Sequence, residues 1–291
     1  DDRTSRGLGD VYKRQLKRMA ELADFGTSQG TLTTGGSNGN LLGLLCARQA
    51  KFPLSSHSGF DGTKMVAFVS EETHYSFSIA SNVIGIGHSN LITVRCNDDG
   101  QMLPEALDEE IQRALANDKI PFVVLATSGT TVRGSFDPLR EISAVAHKYN
   151  LWMHVDAAWG GSCLFSSRYR SLMDGIELAD SFCWDAHKMM GIPLICSAFI
   201  VKDADILKSV CSTGQIAHYL YHDTGAGIDL GRFSLQCARR NDALKLWLAW
   251  REIGDAGWAS MLERFMDLAD HLQQRIENHD CLLYTSDAAD D

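Results

Sequence analysis

Short apolar runs alternate along the chain with longer stretches in which apolar side chains recur every three or four positions. Runs rich in Val, Ile, Leu and Phe predict buried strands, and the longer pattern predicts amphipathic helices. The predicted strands are 64–70, 91–95, 122–126, 151–155, 181–184 and 197–201. Helices are predicted between them at 40–49, 75–84, 104–116, 138–149 and 204–211.

This alternation is typical of an α/β fold, in which a mostly parallel sheet is covered by helices on both faces. After residue 239 the pattern changes to two long helices, predicted at 242–253 and 257–277. We therefore predict a large domain over 16–240, and helices over 241–280 that lead toward a truncated small C-terminal domain.

Residues 1–15 and 281–291 do not fit this pattern. The segments S-R-G-L-G-D-V-Y-K-R-Q (5–15) and C-L-L-Y-T-S-D-A-A-D (281–290) look like translated sequencing adapter. We expect both flanks to be adapter-derived, the natural residues to run from about 16 to 280, and the reading frame to be cut at both ends. Codons unlike those of the adapter would contradict this expectation.

Composition narrows the class of protein. A hydrophobic content of 45% suits a large buried core, and a formal net charge of −10 argues against nucleic acid as a partner. The eight cysteines form no C-x-x-C pair and no metal-binding spacing, so we expect reduced thiols, no metal and a cytoplasmic location. The longest apolar run, 189–201, is too short to cross a membrane.

Three residues together can build a pyridoxal 5'-phosphate (PLP) site. Lys188 in W-D-A-H-K offers an amine for the cofactor aldehyde, a role that requires a desolvated lysine. Asp156 in H-V-D-A-A-W-G-G can keep the ring nitrogen protonated, and His74 in E-E-T-H-Y-S can stack on the ring. Each residue also has an ordinary alternative role: Lys188 as a surface lysine, Asp156 as a helix cap or a member of an ion pair, and His74 as a structural histidine.

Two polar turns could complete this site. In T-T-G-G-S-N-G-N (33–40), the amides of Gly36, Ser37 and Asn38 and the Ser37 hydroxyl can hold a phosphate at a helix start. The turn matches neither the P-loop nor G-x-G-x-x-G. In A-T-S-G-T-T (126–131), Thr127 either donates to the cofactor ring or to Asp156, or belongs to a plain polar turn.

The chain resembles the group II PLP-dependent amino acid decarboxylases over nearly all of 25–280. The motifs above occur in the order found in that family, followed by H-K-M-M-G and L-Q-C-A-R-R-N-D-A-L-K-L-W-L. The resemblance implies the fold-type I architecture and a homodimer with sites near the subunit interface. By it, Lys188 is the Schiff-base lysine, Asp156 the pyridinium partner, and His74 and Ala158 the two ring walls. Gly36 and Ser37 contact the phosphate, and His187 belongs to the cofactor-binding block.

W-G-G after D-A-A, together with H-K-M-M, resembles the branch that acts on acidic amino acids. We therefore predict α-decarboxylation of aspartate or glutamate, with cysteine sulfinate as a further candidate. The alternatives are an aromatic or diaminobutyrate decarboxylase, an aminotransferase, a carbon–carbon lyase, or an inactive fragment.

Three positions depart from the family pattern. Asp185-Ala186 replaces a frequent Asn-Pro, which puts a carboxylate where an amide would contact the phosphate. Gly39 stands where serine is common, and the loop at 219–229 is short. Tyr221 is therefore only a candidate for the mobile-loop tyrosine of the family.

Overall fold

The computed structural model describes residues 2–26, 28–60, 64–211, 230–236 and 240–279. Tyr221 and the loop around it lie outside these residues. A seven-stranded sheet forms the centre, in the order β1-β7-β6-β5-β4-β2-β3. Its strands are β1 (Gln29–Thr33), β2 (Met65–Ser70), β3 (Leu91–Val94), β4 (Ile120–Thr127), β5 (Trp152–Asp156), β6 (Ser181–Asp185) and β7 (Ser197–Val201).

Neighbouring strands from β3 to β6 pair in parallel, whereas β7 runs antiparallel to both β6 and β1. The predicted mostly parallel sheet is confirmed, and all six predicted strands are present. β1 was not predicted, because its sequence Q-G-T-L-T lacks a long apolar run and it is buried by its contacts with β7, α1 and α2.

Helices cover both faces of the sheet. The described helices are α1 (Asp2–Leu22), α2 (Gly36–Lys51), α3 (Ser55–Ser58), α4 (Ser76–Val83), α5 (Pro104–Ala116), α6 (Leu139–Lys148), α7 (Ala204–Val210) and α8 (Asp242–Glu277). Alternate residues of β2 face two different cores. Val66 and Phe68 belong to the core that also includes residues of α1, α5, α6 and α8, whereas Met65, Ala67 and Val69 belong to the core with α2 and α4. This alternation follows from the two-residue period of a strand.

The two predicted C-terminal helices correspond to α8, which breaks at Gly254. Gly254 has a φ of 67°, a left-handed conformation that glycine adopts without strain. Trp258 and Leu262, beyond the break, are buried in the same core as the sheet. The second helix therefore packs on the large domain over its first turns.

Helix α1 was not predicted, because most of it lies in the flank that was set aside. The Tyr12 hydroxyl accepts a hydrogen bond from the Leu32 amide at 2.8 Å, and the Gln15 amide donates to the Ala243 carbonyl at 2.9 Å. This part of the flank thus contacts both β1 and α8. The adapter origin of 1–15 and 281–291, and the domain boundaries at 15, 240 and 280, stay predictions.

Across the described part of the chain, no helix combines the length and apolarity needed to cross a membrane. In the same residues, no group of three His, Cys, Asp or Glu side chains is arranged to bind a metal ion.

Candidate active site

The candidate site lies at the carboxyl ends of the parallel strands. Thr127, Asp156 and Asp185 are the last residues of β4, β5 and β6, which are adjacent in the sheet. Lys188 follows β6 by one turn, and its amide donates to the Asp185 carbonyl at 3.0 Å. Ligands of open α/β sheets bind at this edge, so the topology brings distant motifs together.

A cavity of about 240 Å³ opens at this edge. Eight of the nine predicted site residues line it: Gly36, Ser37, His74, Thr127, Asp156, Ala158, His187 and Lys188. Asn38 is not among the lining residues, and its amide donates to the Gly35 carbonyl at 3.1 Å. The Asn38 amide is therefore hydrogen-bonded within the first turn of α2 and is not free to bind a phosphate. Helix α2 begins at residue 36, four residues before its predicted start at 40. The anion-binding amides left by this turn are those of Gly36 and Ser37.

Three hydrogen-bond donors surround the Asp156 carboxylate, two at Oδ1 and one at Oδ2. Its Oδ1 accepts from the Ala158 amide at 3.0 Å and from the Cys183 thiol at 3.4 Å, and its Oδ2 accepts from Asn40 Nδ2 at 2.7 Å. The residue is 6% exposed. Hydrogen bonds of this kind stabilise the ionised form of a carboxyl group, so Asp156 can act as a fixed acceptor for a positively charged ring nitrogen.

Asp185 has a different environment. It is buried, the Ser197 hydroxyl donates to its Oδ1, and Lys188 Nζ and His187 Nε2 lie 3.4 and 3.5 Å from its Oδ2. Burial raises the pKa of Asp185, and the Ser197 hydrogen bond and the neighbouring Lys188 and His187 oppose that rise. A raised pKa favours the neutral carboxyl, which weakens the repulsion toward phosphate that the sequence suggests.

The phosphate-binding turn and Asp185 are close neighbours. A Cβ built on Gly36 would lie 2.8 Å from Asp185 Oδ2 and 3.2 Å from Ala158 Cβ. At Gly39, a Cβ would lie 2.7 Å from the Cys183 Cβ, because α2 packs directly on β6. The departure at Gly39 therefore has a packing reason: a serine there would collide with the strand.

Thr127 reaches the cavity with an unused hydroxyl. Its backbone amide donates to Asp137 Oδ2 at 2.7 Å, which fixes the end of β4. Its Oγ1 is buried and makes no hydrogen bond with any described residue, Asp156 included. A buried hydroxyl without a partner is costly, so this atom is suited to contact a bound ligand.

His74 and Trp159 border the cavity from two loops. His74 Nδ1 lies 2.8 Å from the Ser76 hydroxyl, and its ring centroid is 4.3 Å from that of Tyr75. Trp159 is 46% exposed, and its ring lies against Gly129, where a Cβ would meet Trp159 Cδ1 at 2.8 Å. The predicted stacking of His74 opposite Ala158 stays a prediction.

Sequence reasoning missed Asn40, Ser76 and Cys183, which surround Asp156 and His74. Their partners are far along the chain: Asn40 and Asp156 are 116 positions apart. The signal available at Asn40 was a polar side chain directly before the apolar run L-L-G-L-L (41–45) of α2. Buried amides of this kind are normally hydrogen-bonded to a specific partner.

Comparison with known proteins identifies the family of the chain. The family model described as "Pyridoxal-dependent decarboxylase conserved domain" matches residues 10–284. Acidic amino acid decarboxylase GADL1 of Xenopus tropicalis is 38% identical over 268 residues, which cover 91% of this chain and 52% of the relative. The chain thus spans about half the length of this curated relative.

Two solved structures are similar over most of the chain. Mouse CSAD superimposes with a TM-score of 0.89 at 34% identity, covering 95% of this chain and 58% of that protein. Oryza sativa TDC, solved with PLP and tryptamine, has a TM-score of 0.88 at 26% identity, covering 96% and 59%. The predicted fold-type I architecture and family resemblance are both confirmed, and the chain belongs to the pyridoxal-dependent decarboxylase family.

Proposed function

We propose that this chain is part of an enzyme that binds PLP and removes the α-carboxyl group of an acidic L-amino acid as carbon dioxide, leaving the amine. The observation that carries the proposal is that Lys188 and Asp156 line one cavity beside the Gly35–Ser37 turn. An amine, a carboxylate and an anion-binding helix start match three separate groups of PLP.

The residues present fit this cofactor. Bound PLP supplies an aldehyde that takes up amines and a protonated ring that accepts the electrons of the broken bond. Lys188 provides the amine, and its side chain is 34% exposed toward the cavity. Asp156 holds the ring-nitrogen proton, and the unused Thr127 hydroxyl offers a further contact.

The remaining predicted residues orient the cofactor and substrate. The Gly36 and Ser37 amides hold the phosphate, and Ala158 leaves room for a flat ring because its side chain is a single methyl group. His74, which lines the cavity, would pack on the ring and would be the group that moves a proton at the reacting carbon. Positioning by such groups, together with the electron-accepting ring, supplies most of the rate gain.

The acidic substrate class rests on sequence similarity. The relative from Xenopus tropicalis carries the name acidic amino acid decarboxylase, and W-G-G with H-K-M-M resembles the branch acting on acidic substrates. Aspartate, glutamate and cysteine sulfinate are the candidates.

We further propose a homodimer. Tyr75, Ile79 and Val83 are 66%, 55% and 63% exposed and recur every four residues, which makes one apolar face along α4. Tyr75 also lines the cavity, so a partner on this face would border the site. Sedimentation of wild type and Ile79→Glu tests the proposal: the wild type is expected as a dimer and the variant as a monomer, and a monomeric wild type contradicts it.

Reduction of the PLP adduct tests the cofactor site. Purified chain is mixed with PLP, treated with borohydride and mapped by peptide mass. Wild type and the control Lys202→Ala, a lysine that also follows a strand, should carry the label at Lys188, and Lys188→Ala should not. A folded wild type without a label would overturn the proposed cofactor.

Product analysis then tests the reaction. Each candidate amino acid is incubated with the PLP-loaded chain, and carbon dioxide and amine are measured. Equal amounts of both products support decarboxylation. A keto acid or an aldehyde in their place would identify an aminotransferase or a carbon–carbon lyase.

A further inference from the structure

Asn40 connects two residues of the candidate site that come from different elements. It lies in the second turn of α2, lines the cavity and is 1% exposed. Its Nδ2 donates to Asp156 Oδ2 at 2.7 Å and to the Ser76 hydroxyl oxygen at 2.9 Å. Both N–H donors of one amide are therefore used, one toward the end of β5 and one toward the start of α4.

The direction of the hydrogen bonds behind Asn40 follows from the Asp156 carboxylate, which takes Asn40 Nδ2 and leaves Asn40 Oδ1 facing His154 Nε2. His154 Nε2 therefore donates to Asn40 Oδ1 at 3.1 Å, and Nδ1 of a neutral ring accepts from the Ser181 hydroxyl at 2.9 Å. Ser181 in turn accepts from Trp152 Nε1, which can only donate, at 2.9 Å. Burial lowers the pKa of His154 to about 4, so its ring is neutral and carries one proton.

Each donor in this series of hydrogen bonds therefore points toward Asp156. Cys183 Sγ lies 3.1 Å from Asn40 Oδ1 and 3.4 Å from Asp156 Oδ1, and its single proton serves one of these acceptors at a time. His154 and Asp156 fix the orientation of the amide: a flipped Asn40 would place its NH2 group against the His154 Nε2 donor and its oxygen against the Asp156 carboxylate. The amide cannot rotate without losing several hydrogen bonds.

The second branch reaches His74. The Ser76 hydroxyl accepts from Asn40, so its own proton is available to His74 Nδ1 at 2.8 Å. The Ser76 amide also points at His74 Nδ1, at 3.3 Å. With two donors on Nδ1, a neutral His74 ring carries its proton on Nε2.

We propose that Asn40 is a positioning residue for the PLP site, orienting the Asp156 carboxylate and setting the His74 tautomer through Ser76. The inference rests on the proposed function, because Asp156 and His74 matter here as contacts of PLP. Asn40 itself acts through these two residues. Its loss would therefore change the electronic state of bound PLP as well as its affinity.

A purely structural role is the alternative, in which Asn40 only fastens α2 to the sheet. Gln49 provides the matched control, because it is a buried amide on the same helix, remote from the cavity. It donates to the Pro53 carbonyl at 2.7 Å and accepts from the Ser55 hydroxyl at 3.3 Å. Gln49→Leu removes a comparable amide without touching Asp156 or His74.

The first experiment reads the tautomer without any cofactor. Side-chain nitrogen shifts of His74 are recorded by NMR in wild type, Asn40→Leu and Gln49→Leu, with His74→Gln to assign the signal. Wild type and Gln49→Leu should hold the proton on Nε2, and Asn40→Leu should show a mixture. The same tautomer in all three overturns the His74 part of the proposal, whether or not PLP binds.

The second experiment measures PLP binding and the absorption spectrum across pH. Asn40→Leu should weaken PLP binding about tenfold to hundredfold and shift the bound spectrum, because Asp156 loses a charge-assisted hydrogen bond. Gln49→Leu should stay within twofold of wild type. Asn40→Asp should gain more PLP affinity than wild type does as pH falls, since a protonated carboxyl regains a donor, whereas the pH profile of Asn40→Leu should run parallel to that of wild type.

The outcomes separate the possibilities. A folded Asn40→Leu with wild-type affinity and spectrum overturns the positioning role, and equal losses in Gln49→Leu assign the effect to helix packing. Should Asn40→Leu fail to fold, the pH profile of Asn40→Asp decides instead, and a profile no steeper than that of wild type overturns the proposal. A wild type that forms no PLP adduct refutes the proposed function, and the NMR result still tests the tautomer.

Discussion

Replacing Gly43 with alanine should destabilise the fold even though alanine favours helices. Gly43 lies in α2, opposite the His154 ring, and a Cβ there would lie 2.5 Å from Nδ1 and 2.6 Å from Cγ. The ring is fully buried, and hydrogen bonds to Ser181 and Asn40 hold it in place. It cannot move away from a new methyl group without losing them.

The size of the effect follows from three contributions. Overpacking costs about 1–3 kcal/mol, and the two strained hydrogen bonds of His154 cost about 1 kcal/mol each. The change from glycine to alanine inside a helix returns about 1 kcal/mol. We expect Gly43→Ala to lower the free energy of unfolding by about 2–4 kcal/mol.

Urea unfolding of a double-mutant cycle measures this clash directly. In a His154→Ala background the ring is absent, so Gly43→Ala should stabilise the fold by up to about 1 kcal/mol through helix propensity alone. The sign of the substitution therefore reverses between the two backgrounds. An equal loss of stability in both would refute the reasoning, because the cost would then lie in α2 itself.

Three further predictions concern single side chains. Thr127→Val should leave the stability of the PLP-free chain unchanged or raise it by about 1 kcal/mol, since the buried hydroxyl has no described partner, yet weaken PLP binding in a titration; unchanged affinity would exclude a contact. Because burial raises the pKa of Asp185, wild-type PLP affinity should fall with rising pH as this carboxyl ionises, and Asp185→Asn should remove that fall. Parallel pH profiles of the two proteins would contradict this. The pKa of His154 is lowered to about 4, so its contribution is complete above about pH 6.5 and lost as pH falls toward 4, by about 3 kcal/mol. Urea unfolding against pH should show this loss in wild type, and the same loss in His154→Gln would assign it to another group.

The central strands β2 and β4 could be predicted because they are buried on both faces and therefore read as continuous apolar runs. The direction of β7 could not, because it depends on pairing with β6 and β1 and not on its own sequence. β1 was missed for a similar reason, since a five-residue strand of mixed polarity becomes buried only through its tertiary contacts with β7, α1 and α2.

Residues at strand ends could be predicted as site residues, because the fold class places those ends together. The hydrogen-bonded partners behind them could not. Asn40 contacts Asp156, 116 positions away, and Cys183 contacts Asn40, 143 positions away. Contacts of this kind depend on how α2 packs on β5 and β6, which neither spacing nor periodicity indicates.

Asp156 and Asp185 show why residue type and position do not suffice to assign a role. Both end neighbouring strands, and both are buried. The donors to Asp156 are two N–H groups and a thiol in fixed positions, and none of them titrates with the cofactor. Asp185 contacts Lys188 and His187 instead, whose side chains border the cavity. A ligand that engages Lys188 changes the surroundings of Asp185 and leaves the donors of Asp156 in place. The charge of Asp185 is therefore expected to respond to cofactor binding, whereas the hydrogen bonds that orient Asp156 are in place before the cofactor arrives.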